Sequence, residues 1–275
     1  MSLNINLEEF PPILREFASY KTAIQGCSQK TADENLLDLR TFFRYLLATE
    51  QGINPDSDEF CEIDIRGIDI DYVKGITPDR IYDFLLYTGN VRKNMWSAKA
   101  RKLSAIKMMY KFFTVKRGYF EENPAANIES PKKKKTLPKV LSLEEARLLL
   151  DTVRNDMDSR NRLRDLCIIT LFLNCGMRLS ELVGISIPDI ERELRHVRVL
   201  GKGNKERIIY LNEACKTVLV EYLSEVRLSP KYSGIKDKAL FLSNRETRIT
   251  DKQVQKIVYK YLDMAGLGSK HYSTH

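Results

Sequence analysis

Histidine and tryptophan are scarce in this 275-residue chain, which holds three of the first and one of the second. So few histidines leave little from which to build a zinc site. The five cysteines, Cys27, Cys61, Cys167, Cys175 and Cys215, are odd in number and scattered, with no pair at metal-ligand spacing. They read as reduced thiols, most of them packing groups, and no metal or other cofactor is expected. Long apolar runs are missing as well. The longest uncharged stretch near the middle, residues 166–177, is too short to cross a bilayer. The opening residues have neither the basic start nor the apolar segment of a signal peptide, so a cytoplasmic protein without a membrane partner is expected. No Gly-x-x-x-x-Gly-Lys-Ser/Thr pattern occurs, which disfavours ATP.

What the chain does have is charge, unevenly placed. Residues 1–90 carry 16 acidic and 8 basic side chains, whereas residues 91–275 carry 21 acidic and 37 basic. Segregation on that scale suits a polyanion partner, because lysine and arginine on a duplex release condensed counterions. The strongest local bias lies at residues 91–118, with nine basic residues and no acidic one. Leu103, Ile106, Tyr110 and Phe113 give this segment an apolar helical face, so it should dock on a core while showing lysines elsewhere. Its exposed faces gain nothing from i,i+4 ion pairs, which favours a DNA-facing role for Lys99, Arg101, Lys102 and Lys107.

Helical periodicity dominates the rest. Residues 28–50 place Leu36, Leu39, Phe42, Phe43, Leu46 and Leu47 on one stripe, and Thr77-Pro78 marks another helix start. The acidic stretch 54–73 alternates isoleucine with aspartate and reads as a connecting loop with a short extended piece. Asn123-Pro124 and then Ser130-Pro131-Lys132-Lys133-Lys134-Lys135-Thr136-Leu137-Pro138 read as a basic interdomain strap over residues 123–139. Domains are therefore expected at 1–122 and 140–275. In the second, Ser142 and Glu145 form a capping box, residues 166–172 a buried helix, and Thr250 with Gln253 a second capping box. Residues 196–200 and 206–211 flank Gly201-Lys202-Gly203-Asn204-Lys205 as a β-hairpin, with a short third strand at 239–242.

Three positions and one supporting acid are the candidates for chemistry. Arg178, an arginine on a helix, presents a planar fork able to clamp two phosphate oxygens. Glu181, one turn on, is placed to hold it, although those two residues alone read more simply as a surface ion pair. Lys202, in a glycine turn beside Lys205 and Arg207, offers a flexible cation that can protonate a departing oxygen. His275 comes last.

The order of these motifs resembles the tyrosine recombinases. Residues 174–182 are similar to the first arginine box of that family and residues 199–211 to its lysine hairpin. Residues 123–142 resemble the interdomain linker of the Xer type. Ser28-Gln29-Lys30-Thr31, Asp38-Leu39-Arg40-Thr41-Phe42-Phe43 and Arg101-Lys102-Leu103-Ser104-Ala105 resemble its N-terminal domain. Tyr210 stands where proline is usual, and Met177 precedes the arginine.

The resemblance implies a mainly α fold: a helical, SAM-like core-binding domain, then a mostly helical catalytic domain with a small antiparallel sheet. It implies site-specific cutting and rejoining of double-stranded DNA through a 3′-phosphotyrosine, without metal or ATP. Arg178 would be the first phosphate-clamping arginine, Glu181 its supporting acid, Lys202 the general acid and His275 the start of a His-x-x-Arg box. Lys132, Lys133, Lys134, Lys135, Lys205 and Arg207 would join the basic helix on DNA. The second arginine and the tyrosine would belong downstream of His275, so the chain as given is expected to bind but not to cleave, and to be a monomer where a full-length parent forms a homo- or hetero-tetramer. The alternatives are an integrase of a mobile element and a non-catalytic DNA-binding remnant.

Overall fold

The computed structural model describes residues 5–131, 139–201, 203, 205–230, 234–270 and 272. The chain divides into two compact units, Met1–Lys135 and Thr136–His275. Both are built mainly of helices, with one small antiparallel sheet in the second.

The first unit holds α1 (Pro12–Ser19), α2 (Gln29–Gln51), α3 (Glu59–Glu62), α4 (Ile70–Lys74), α5 (Pro78–Asn90) and α6 (Trp96–Lys111). Helix α2 starts where the Ser28 hydroxyl accepts the Thr31 N–H and stops at Gly52, whose φ of 68° reverses the chain. Its stripe of Leu36, Leu39, Phe42, Phe43 and Leu46 is fully buried, and Phe42 meets Phe84 of α5 edge-on at 5.1 Å. Helix α5 opens at Pro78 as expected, but the preceding Thr77 makes no side-chain cap bond. Leu103, Ile106 and Tyr110 of α6 enter the same core, and the Tyr110 hydroxyl donates to the Val73 carbonyl at 3.0 Å. Ala125 and Ile128, from the stretch expected to be linker, are buried there too.

Residues 54–73 differ from expectation. They form the short helices α3 and α4, with Phe60, Ile63, Ile65, Ile68 and Val73 buried, rather than a loop with an extended piece. The aspartates explain the difference: they cap turns instead of lining a strand. Asp69 accepts the Tyr72 N–H at 2.8 Å to start α4, and Asp64 accepts the Arg66 N–H at 2.9 Å.

The second unit runs α7 (Leu143–Asn155), α8 (Arg162–Cys175), α9 (Leu179–Gly184), β1 (His196–Leu200), β2 (Glu206–Tyr210), α10 (Glu213–Tyr222) and α11 (Asp251–Met264). Both capping boxes, Ser142 with Glu145 and Thr250 with Gln253, are present. Helix α8 is the central element and buries Leu166, Cys167, Ile168, Ile169 and Leu171. The hairpin pairs antiparallel, with His196 opposite Tyr210 and Leu200 opposite Glu206.

The expected strand at 239–242 does not form. Ala239 and Leu242 make single bridges to different partners, Ser186 and Arg248. Around Ser186 and Ala239 two backbone bonds form, Leu240 N–H to the Ile185 carbonyl at 2.9 Å and Ile187 N–H to the Lys238 carbonyl at 2.8 Å. The next carbonyls along are taken by arginines: Arg248 Nη1 donates to Val183 and Arg164 Nη1 to Leu242, both at 2.8 Å.

Candidate functional site

The site begins where α8 ends. Gly176, with φ of 55°, turns the chain out of the helix, and Arg178 follows in extended conformation (φ −71°, ψ 153°) as the N-cap of α9. The expected arginine on a helix is thus an arginine just before one. That backbone swings its side chain outward, and 67% of it is exposed.

Glu181 lies in the first turn of α9 with its side chain fully buried. Its carboxylate gathers three donors. Oε1 accepts from Arg178 Nη1 at 2.9 Å, while Oε2 accepts the Arg178 backbone N–H at 2.8 Å and Arg207 Nη2 at 2.8 Å. Burial pushes the Glu181 carboxyl up, but the bonds from the Arg178 N–H and from the Arg207 and Arg178 guanidinium groups outweigh it. The group therefore titrates below its usual value and stays ionised at neutral pH.

The hairpin closes over this carboxylate. The Gly201 N–H donates to the Lys205 carbonyl at 2.8 Å, and Gly203 takes the left-handed conformation, φ 76°, at the tip. A Cβ on Gly201 would stand 3.2 Å from Glu181 Oε1, so glycine lets the strand end approach the acid. Arg178, Glu181, Gly201 and Arg207 therefore form one cluster, with Lys205 exposed beside it. A cleft of about 710 Å³, walled by Leu141, Leu149, Phe172, Met177 and Leu262, also reaches Arg178, so apolar surface flanks the guanidinium. Lys202 and His275 lie outside the described residues, as do Lys132, Lys133, Lys134 and Lys135.

The basic helix of the first unit departs from the sequence reading at Lys102. Only 10% of that side chain is exposed, and its ammonium donates to Asp38 Oδ1 at 3.0 Å. Arg101, half-exposed, donates to Asp38 Oδ2 at 2.6 Å. Lys102 is consequently an interior anchor rather than a surface cation. The reason is a partner 64 residues away, on another helix, that neutralises it. Burial raises the Asp38 carboxyl above its usual value despite the opposing pull of Lys102 and Arg101. Lys99 lies over Gly89 of α5, and Lys107 Nζ donates to the Ala126 carbonyl at 3.2 Å.

Sequence reasoning missed Asp38 as a partner and Glu181 as a shared one. The only signal for Asp38 was an acid set between Leu36 and Leu39 on an otherwise apolar stripe. Among the described residues, no group of histidine, cysteine, aspartate and glutamate is arranged to hold a metal ion, and no helix is long and apolar enough to cross a membrane.

Known proteins resemble the chain along most of its length. Residues 139–275 match the phage integrase family. A tyrosine recombinase XerC of Caldanaerobacter subterraneus subsp. tengcongensis is 42% identical over 268 residues, covering 97% of this chain and 73% of that protein. A tyrosine recombinase XerC of Myxococcus xanthus is 31% identical over 262 residues, covering 94% of this chain and 79% of its own length. Among solved structures, the XerH site-specific recombinase bound to a palindromic difH substrate, a post-cleavage complex, aligns with a TM-score of 0.64 at 20% identity, over 100% of this chain and 85% of that one. A lambda integrase tetramer bound to a Holliday junction aligns with a TM-score of 0.61 at 15% identity, over 93% and 66%. These two likenesses establish a shared fold.

Proposed function

The chain belongs to the phage integrase family of tyrosine recombinases, and on that footing we propose that it grips duplex DNA around a scissile phosphate for site-specific recombination of the Xer type. The observation that carries this reading is the Arg178–Glu181–Arg207 cluster: two cations held by one buried carboxylate at the base of a glycine hairpin. The XerC relatives favour a Xer recombinase over an integrase of a mobile element.

In this reading Arg178 donates to the non-bridging oxygens of the phosphate. Its charge is fixed before the substrate arrives, because Glu181 already orients the guanidinium, so little reorganisation accompanies the reaction. A tyrosine phenolate attacks phosphorus, the bond to the 5′ oxygen breaks, and Lys202 gives that oxygen a proton. A 3′-phosphotyrosine results, and reversal of the same steps rejoins the strand. The residues present supply the clamp and the acid, whereas no tyrosine of the chain matches the position of the nucleophile in the family. On this reading the 275 residues hold the DNA and, with no tyrosine among them assigned to the attack, form no covalent adduct.

The first unit contributes Lys99, Arg101 and Lys107 to the phosphate backbone, and Lys102 serves by anchoring Asp38. Binding to a nicked 40-mer duplex, followed by fluorescence anisotropy from low to high salt, tests the reading. Affinity should fall steeply with salt, more weakly for Lys107→Ala, and denaturing gels should show no covalent adduct. Salt-insensitive binding would sink the clamp; an adduct would show that the chain cleaves.

A further inference from the structure

Two thiols face one another across the seam where α8 ends and α10 begins. Cys175 Sγ and Cys215 Sγ are 3.6 Å apart, with Cys175 half-buried and Cys215 buried. Their neighbours hold the seam shut. Asn212 Nδ2 donates to Asn174 Oδ1 at 2.8 Å, and Asn212 Oδ1 accepts the Cys215 N–H at 3.0 Å as the cap of α10. A side-chain bond thus crosses the gap next to Cys175, and its Asn212 end caps the turn that carries Cys215. A disulfide needs sulfurs about 2.05 Å apart. The half-buried Cys175, at the last position of its helix, has the freedom to make that approach.

We propose that Cys175 and Cys215 form a reversible dithiol–disulfide couple, oxidised by hydroperoxides, that closes a covalent loop around the Arg178 cluster. Cys175, as thiolate, attacks the distal oxygen of the hydroperoxide. The O–O bond breaks, the alcohol or water leaves, and the sulfur becomes a sulfenic acid. The Cys215 thiol then attacks that sulfur, the S–S bond forms and the sulfenic oxygen leaves as water. Two thiols and one hydroperoxide thereby give one disulfide, one alcohol and one water. A dithiol reductant reverses the change by exchange.

The two roles follow from the surroundings. The contact with Cys215 holds the Cys175 thiol below its usual range against the effect of burial. The same contact, together with burial, pushes Cys215 up. Cys175 is half-buried and Cys215 buried, so a hydroperoxide reaches Cys175 first: it is the attacking thiol and Cys215 the resolving one. Of the other cysteines, Cys167 is buried in the core, and Cys27 and Cys61 lie in the first unit.

The loop closed by 175 and 215 contains α9 and the whole hairpin, hence Arg178, Glu181, Gly201 and Arg207. Oxidation ties that loop at its two ends and removes freedom from its unfolded state. The pair's chemistry does not depend on what the cluster binds.

The test uses the full chain in a Cys61→Ser background, reduced, treated with equimolar hydrogen peroxide, then alkylated and digested. A peptide pair linked through Cys175 and Cys215 is expected, reverting with dithiothreitol, and the melting temperature of the second unit should rise by roughly 10 °C. Cys175→Ser should fold normally and lose both effects; Cys215→Ala checks the buried partner if serine is poorly tolerated there. Sulfenic or sulfinic Cys175 without a linked peptide overturns the proposal, as does continued alkylation of both thiols after peroxide.

Discussion

Arg207 reaches Glu181 across 26 residues of chain, Nη2 to Oε2 at 2.8 Å, so strand β2 and helix α9 are joined through the same carboxylate that holds Arg178. The two arginines, Arg178 and Arg207, are 67% and 45% exposed, but the acid is fully buried. The cluster is thus organised from the inside, and its weak point is the acid.

Glu181→Ala should destabilise the second unit by about 2 kcal/mol, near the middle of the range for hydrogen bonds to a charged group and discounted because both arginines remain solvated. Glu181→Gln keeps one of the two acceptor oxygens and should lose about half as much. Urea unfolding of the second unit reads both. Equal midpoints for all three proteins would mean that the carboxylate holds nothing together.

Gly201→Ala places a methyl 3.2 Å from Glu181 Oε1. The oxygen cannot retreat without giving up Arg178 Nη1, so a loss of about 1 kcal/mol is expected, with several-fold weaker DNA binding. Gly67, which has open space around it, is the control: Gly67→Ala should change neither.

Asp38→Ala strands the buried ammonium of Lys102 and should cost about 3 kcal/mol in the first unit. The pair is costly to break but not irreplaceable. Asp38→Leu combined with Lys102→Met, both apolar and of similar volume, should recover most of that loss. A double-mutant cycle by denaturant unfolding measures the coupling, and strictly additive losses would contradict it.

Acid should loosen the second unit partly through Glu145. Lys270 first, then the Ser142 N–H and the Tyr272 hydroxyl, hold its carboxyl at about 2, below its usual 4.5. A depressed folded value stabilises above the unfolded value, and that stabilisation drains away as pH falls from about 4.5 toward 2. Lys270, raised by the same bond, loses its share only above its usual 10.5. Buried Asp165 is shifted upward and works in the opposite sense, so the wild type alone does not isolate Glu145. Melting temperatures of wild type and Glu145→Gln should therefore differ at pH 6 and converge by pH 2.

Local signals were legible in the sequence because they are written within one turn of chain. Ser142 with Glu145, Thr250 with Gln253, and the glycine hairpin each formed where their residues indicated. Pairings across elements were not legible. Nothing near Lys102 says that Asp38 waits on α2, and nothing near Arg207 says that it shares an acid with Arg178. Alternation misled at Ile63-Asp64-Ile65 and Ile68-Asp69-Ile70, where period two looks like a strand. The aspartates serve instead a turn at Asp64 and the cap of α4 at Asp69.

One bond in the cluster gives its decay a direction. Glu181 accepts not only the guanidinium of Arg178 but the N–H of that residue's backbone, which any amino acid except proline supplies. A lineage released from selection for activity can therefore replace the arginine and keep both the turn and the clasp on Arg207. Loss of the glutamate first would unfasten main chain and side chains together. Inactive descendants of this architecture should accordingly keep the acid long after the arginine has gone, and a retained glutamate without its arginine is the trace such a history leaves.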